Sequence, residues 1–258
     1  MSTAAVVQER KPSAGGVNRT FLWIEIKRML RNRRTIMFTV FMPAIFFFIF
    51  GLSNKDKLLP NGHSYGQYIL ISLTVYAAMT AATGAGSQVA VERAQGWSRQ
   101  LRLTPLLPGA YVAVKAMAAL TLSLVAVVAQ FVIGALAGVT MDAQTWRTAG
   151  LVAWLGSLVF AALGLFVGYL MPSQNVMQIL GPALAILAML GGLFMPIEIM
   201  GETFGNIAKF TPAYGIGQLA RSPITGEFDW AWIVNVLTWL AIFVAGAAMA
   251  LRRDTKRV

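Results

Sequence analysis

No cysteine occurs among the 258 residues, so disulfides, thiolate metal sites and cysteine nucleophiles are excluded. Histidine occurs once, at His63 between Asn61 and Ser64, which reads as a loop residue and leaves nothing for a histidine-based metal cluster. Charge is scarce: 12% of residues, against about 25% in an average globular domain. Hydrophobic residues reach 57%, above the roughly 45–50% of such domains. These proportions exclude a disordered chain, a collagen and a soluble coiled coil. No G-x-x-x-x-G-K-[ST] phosphate loop is present, so the chain does not hydrolyse ATP through that machinery.

What is present is a series of long apolar runs. A helix needs about 20 apolar residues to cross about 30 Å of hydrocarbon. Six stretches qualify, at about 36–53, 68–90, 116–138, 148–171, 176–195 and 230–251, and none contains Lys, Arg, Asp or Glu. One charge at the bilayer centre costs about 2.5–3.5 kcal/mol, so this partition is a strong signal. The runs are continuous, where a membrane β-barrel would alternate. The expected fold is an all-α membrane protein with six transmembrane helices, forming one unit over 18–258 behind a disordered tail at 1–17.

The net charge is +11, which on a soluble protein would suggest nucleic acid. Its distribution suggests lipid instead, and no nucleic-acid partner. Eight basic residues precede span 1 (Arg10, Lys11, Arg19, Lys27, Arg28, Arg31, Arg33, Arg34). Arg93, Arg99, Arg102 and Lys115 lie between spans 2 and 3, and Arg252, Arg253, Lys256 and Arg257 follow span 6. The other side holds only Lys55, Lys57, Arg147, Lys209 and Arg221. Both termini are therefore expected in the cytoplasm, with anionic lipid as a partner. Trp23 and Trp97 fall near that boundary and Trp146, Trp230 and Trp232 near the external one, while Trp154 and Trp239 lie deeper as packing residues. The first 35 residues show no apolar core before a cleavage site, so span 1 reads as an uncleaved anchor.

Before span 1, Leu22, Ile26, Met29 and Leu30 recur on one helical face and Lys27, Arg31 and Arg34 on another, with Asn18 as a possible cap. This describes an amphipathic helix lying in the membrane interface. Pro43 in span 1 and Pro182 in span 5 should kink their helices. The stretch 196–229 carries Ile197, Met200, Phe204, Ile207 and Phe210 at helical spacing, which predicts short amphipathic or re-entrant helices at the external end.

Between spans 2 and 3 lies VERAQGWSRQLRLTPLLPGAYVAVK, residues 91–115. It is long and basic, is interrupted by Leu101, Leu103, Leu106 and Leu107, and turns back at Thr104-Pro105 and Pro108-Gly109. A short helix parallel to the membrane, apolar on one face and cationic on the other, is a docking device. Its Leu and Trp side chains can fill a groove, and its arginines can meet acidic groups or lipid phosphate.

This segment, E-R-A-Q-G-W-x-R-Q-L-R-L-T-P-L followed by Lys115, resembles the cytoplasmic motif of ABC-2-type permeases, the membrane subunits of ATP-binding-cassette exporters. The resemblance extends to the basic helix before span 1, to Gly191-Gly192-Leu193-Phe194-Met195-Pro196 after span 5, and to Ala250-Leu251-Arg252-Arg253-Asp254 after span 6. It is nearest the drug- and antibiotic-resistance branch. It implies a non-catalytic membrane subunit that binds no cofactor of its own and pairs as a homodimer with a second permease chain. Two separately encoded ATPase chains would carry the ATP and Mg. It further implies efflux across the plasma membrane of a bacterium. By motif position Glu92, Gly96, Trp97, Leu101, Leu103, Thr104 and Pro105 would form the coupling helix, with Glu92 anchoring or capping it and Gly96 allowing close backbone approach.

Tyr76, Thr80, Thr83 and Ser87 form a polar stripe on span 2, which either lines a substrate path or glues helices together. Gly134-x-x-x-Gly138 and Gly164-x-x-x-Gly168 read as helix-packing pairs. A pathway of Thr, Ser, Tyr, Met and Phe suits an amphiphilic or hydrophobic drug, antibiotic or lipid. The alternative is a self-contained secondary carrier or channel needing no ATPase. It is disfavoured because no charged group lies within the spans.

Overall fold

The computed structural model describes residues 19–59, 62, 64–97, 100 and 107–256. The tail 1–17, Asn18 and His63 lie outside them. Regular structure among the described residues is helical, apart from one isolated bridge between Leu58 and Ser64. Six of the helices are long and apolar enough to cross a membrane.

Helix α1 (Arg19–Arg31) leads through a single turn, Arg33–Ile36, into α2 (Met37–Asn54). In α2 two π-helical stretches, Met37–Phe41 and Phe47–Gly51, flank the α-helical turn Met42–Phe46. Pro43 sits in the first turn of that middle piece, where its missing N–H is tolerated, so the disturbance is taken up by wider turns on either side. The remaining spans are α3 (Tyr65–Ala94), α4 (Pro108–Leu136), α5 (Ala143–Leu170), α6 (Ser173–Leu190) and α10 (Trp230–Lys256). Three shorter helices, α7 (Ile197–Met200), α8 (Glu202–Ala208) and α9 (Pro212–Thr225), lie between α6 and α10.

Several helices differ from the sequence expectation at their ends. α3 continues through Glu92 and Arg93, and α4 starts early enough to include Lys115. α6 ends sooner than expected, because Gly192 adopts φ +72 and the N–H groups of Gly192 and Leu193 bond the carbonyls of Met189 and Ala188. That paired bonding closes a helix with a left-handed glycine. Gly138 (φ +85) closes α4 in the same way, so it is a terminator, whereas Gly134 is a packing position with Leu70 seated on it.

α3 is the central post. Its most apolar window is 89% buried, against 28% for α2, 24% for α6 and 22% for α10. It meets α5 backbone to backbone: Gly86 faces Ala161 and Leu165, Gly164 faces Thr83, and Gly168 faces Ser87. Small residues let membrane helices approach this closely. α1, the end of α3, the start of α4 and the end of α10 gather at one face, called here the terminal face. At the opposite face Lys55 Nζ reaches the Ala137 carbonyl at 3.5 Å, and Gln67 Nε2 donates to the Thr140 carbonyl at 2.7 Å.

The segment 196–229 forms helices as expected, but its predicted stripe is not the buried face. Phe204, Ile207 and Phe210 are exposed. The inward contacts come from Ala208, Thr211, Ala213, Ile216, Ala220 and Arg221. Ile216 of α9 fits against Gly156 of α5, and Asn235 of α10 donates to the Lys209 and Thr211 carbonyls at 2.8 and 3.2 Å.

Candidate functional site

The terminal end of α3 holds a buried polar node. α1 turns Leu22, Ile26 and Met29 toward the bundle, as its periodicity predicts, but Leu30 is exposed and Glu25 shares the inward face. Glu25 and Glu92 are each 2% exposed, and Lys115, two turns into α4, is fully buried. Lys115 Nζ donates to Glu25 Oε2 at 2.7 Å and to Glu92 Oε1. Arg28 donates to Glu25 at 3.0 Å and also to Glu92 Oε1. The Tyr111 hydroxyl donates to the second Glu92 oxygen, and the Phe21 ring stacks on Tyr111 with centroids 6.2 Å apart.

Two carboxylates and two cations thus neutralise each other, with Glu25, Glu92 and Lys115 shielded from water and the Arg28 side chain 44% exposed. Buried charges persist only when paired and hydrogen-bonded. Burial alone would pull the Arg28 pKa down, but the hydrogen bond to Glu92 and the charges of Glu92 and Glu25 raise it above its ordinary value. Removing one partner of such a set strands the other and costs about 3–5 kcal/mol. Chemically the node is a fastener: it joins α1, α3 and α4 through charge-assisted hydrogen bonds.

Past Glu92 the chain leaves the helix through Gly96, whose φ is +73. Among the described residues nothing lies within 4 Å of the place a side-chain carbon would occupy there. Gly96 thus takes a left-handed turn that favours glycine. Trp97 is 40% exposed. Leu101, Leu103, Thr104 and Pro105 lie outside the described residues.

The polar stripe of α3 divides. Thr83 and Ser87 are buried against α5 at Gly164 and Gly168. Tyr76 is nearly buried, its ring 4.9 Å from Phe194 and 6.1 Å from Phe46. Thr80 keeps accessible surface and bonds back to the Tyr76 and Ala77 carbonyls. The accessible line on α3 runs through Thr80, Gly84, Gln88 and Val91. It opens into a cleft of about 190 Å³, lined also by Met29, Asn32 and Thr35 from the α1–α2 elbow and floored by Arg28. Among the described residues no group of three or more His, Asp or Glu could hold a metal.

Comparison with known proteins decides the family. The model of the ABC-2 type transporter family matches residues 17–225, which include the node, the cleft and α9. The chain belongs to the ABC-2 type transporter family. It is also similar to a Bacillus subtilis (strain 168) protein named as a transport permease, YvfS, with 27% identity over 223 residues that cover 85% of this chain and 91% of the relative. As an ABC-2 type permease it is a multi-pass membrane protein of a family that works with an ATPase subunit.

A second buried cation of this ABC-2 chain lies outside the six spans. Arg221 of α9 is 0% exposed. Its Nη1 donates to Ser72 Oγ at 2.9 Å and to the Gly192 carbonyl at 3.3 Å, and its Nη2 donates to Gln218 at 2.9 Å. The guanidinium lies 4.5 Å from the Tyr68 ring centroid, and Nε has no partner among the described residues. Sequence alone puts Arg221 among short helices between the last two spans without marking it as buried, and does not single out Glu25, Arg28 or Tyr111. A signal existed for Glu25, which stands one turn after Leu22 in line with the apolar face.

Proposed function

We propose that the protein is the membrane subunit of an ABC exporter, moving an amphiphilic or hydrophobic compound. ATP and Mg are bound and turned over on a separate ATPase chain. The reading places two permease chains, as a homodimer, on two ATPase copies in a bacterial plasma membrane, with the terminal face toward the cytoplasm. The observation that carries it is the buried node, which fastens α1 and α4 to the end of α3, where the 91–105 segment begins. Displacement of that segment by an ATPase would act on three helices at once.

The proposed path for cargo follows the accessible side of α3. Tyr76 and Thr80 border it, and Gly84, Gln88 and the elbow residues Asn32 and Thr35 continue it to the terminal face. Thr83 and Ser87 support the path from behind, holding α3 against α5. Amide and hydroxyl groups and the Arg28 guanidinium beside Met29 and Val91 suit a molecule with a polar end.

The test is affinity capture of the tagged chain from native membranes. The expected result is a co-purifying nucleotide-binding subunit whose ATPase rate depends on the permease. Full transport activity of the purified chain alone in vesicles would replace this reading with the self-contained carrier, for which Arg221 would be the first residue to study.

A further inference from the structure

Glu92 and Arg93 are consecutive in the last turn of α3, so their side chains leave the helix about 100° apart. Glu92 turns toward α1 and α4. Arg93 turns toward α5 and α10. Its Nη1 donates to the Tyr169 and Gly168 carbonyls at 2.8 and 3.2 Å. These belong to the last turn of α5, where carbonyls lack helical partners. Its Nε and Nη2 both donate to Asp254 Oδ1 of α10, at 3.0 and 2.7 Å. The rigid fork of a guanidinium can hold both sets at once, which a lysine cannot. Both side chains are largely shielded from solvent, at 29% and 22% exposure, so the pair is less screened than a surface ion pair.

The basic residues around Asp254 follow from the excess of cations at this face. Asp254 does not: it is an acid inside the run Arg252-Arg253-Asp254, at the point where α10 meets α3.

We propose that Arg93 is a positioning residue that forms a second output arm from the end of α3, carrying its displacement to α5 and α10 through the Asp254 carboxylate, in parallel with the Glu92 arm to α1 and α4. This rests on the reading of the chain as an ATPase-driven permease. Short directional contacts between rigid helix ends are the means by which such a displacement is shared.

The cysteine-free chain makes the test direct. Spin labels are placed at Met249→Cys on α10 or Leu30→Cys on α1, each paired with Leu136→Cys at the far end of α4; all three positions are exposed. Distances are measured by pulsed electron resonance in the permease–ATPase complex in lipid nanodiscs. Labelled chain is diluted with unlabelled chain, and the nucleotide-free and ATP–vanadate-trapped states are compared. In the otherwise unchanged protein both pairs shift. In Asp254→Ala the Met249 shift falls below half its original size while the Leu30 shift persists, and Asp254→Glu restores it. An undiminished Met249 shift in Asp254→Ala, or equal loss of both shifts, overturns the second arm. Absence of any shift in the unchanged complex overturns the ATPase-driven reading itself, and this inference with it.

Discussion

Gly164 of α5 lies against the backbone of Thr83 of α3 so closely that a methyl group on Gly164 would sit 2.3 Å from the Thr83 carbonyl oxygen. Neither helix backbone can give way locally. Gly164→Ala should therefore force the two spans apart, at about 1–3 kcal/mol for overpacking. Gly168→Ala, where the nearest atom is 3.2 Å away, should cost less. Thermal unfolding of the two variants in detergent checks the order, and equal stability would refute the close crossing.

At Glu92, the isosteric change to Gln removes one of two negative charges facing Lys115 and Arg28. The expectation is a fall in transport per ATP hydrolysed together with reduced stability, because a cation is left under-compensated. Pairing Glu92→Gln with Lys115→Met should recover stability and leave transport low. Failure of the double change to recover any stability would mean the node is not a charge-balanced set.

Gly96→Ala places a side chain at φ +73, which costs about 1–2 kcal/mol. Gly96→Asn should be milder, since Asn tolerates that region. The comparison is read in assembly with the ATPase subunit. Ala should weaken assembly more than Asn, and the reverse order would show that size, not backbone geometry, governs the position.

Arg221 makes the opposite prediction to Lys115. It is buried among neutral groups, with one nitrogen unpartnered among the described residues. Replacing a poorly compensated buried charge by an apolar side chain of similar volume is often neutral or stabilising. Arg221→Met should therefore leave the melting temperature unchanged or raise it. A drop of more than a few degrees would mean that the Tyr68 and Ser72 contacts hold α9 in place.

Asp142 caps α5, accepting from the Thr145 hydroxyl and from the Thr145 and Gln144 N–H groups. The Thr145 side-chain bond and the backbone bonds hold its carboxyl below the ordinary carboxylate range. A depressed folded-state pKa stabilises above the unfolded value and is lost as pH falls through the folded one. The stability gap between the unchanged protein and Asp142→Ala should thus be present at neutral pH and close in acid. A gap independent of pH would remove the ionised cap.

The six spans were legible because excluding charge from hydrocarbon leaves an unambiguous pattern, and Glu92 and Lys115 were legible through the motif that carries the family resemblance. Partners brought from afar were not. Glu25 stands 67 residues before Glu92 in the chain, and only packing of α1 on α4 joins them. The stripe on α3 stayed open between lining a path and gluing helices, since helical period locates a face without saying what covers it. The glycines of α5 claimed Thr83 and Ser87, which left Gly84 and Gln88 open. Arg221 was hidden because an arginine in a short helix outside the spans carries no mark of burial until Tyr68 and Ser72 are folded beneath it.

The formal charges of Glu25, Glu92, Arg28 and Lys115 sum to zero. A single uncompensated charge moved across a membrane potential works against about 2.3 kcal/mol per 100 mV. A neutral quartet feels no such net force, so the joint can travel with its helices while the cell's voltage rises or collapses, and its stiffness does not depend on how energised the membrane is.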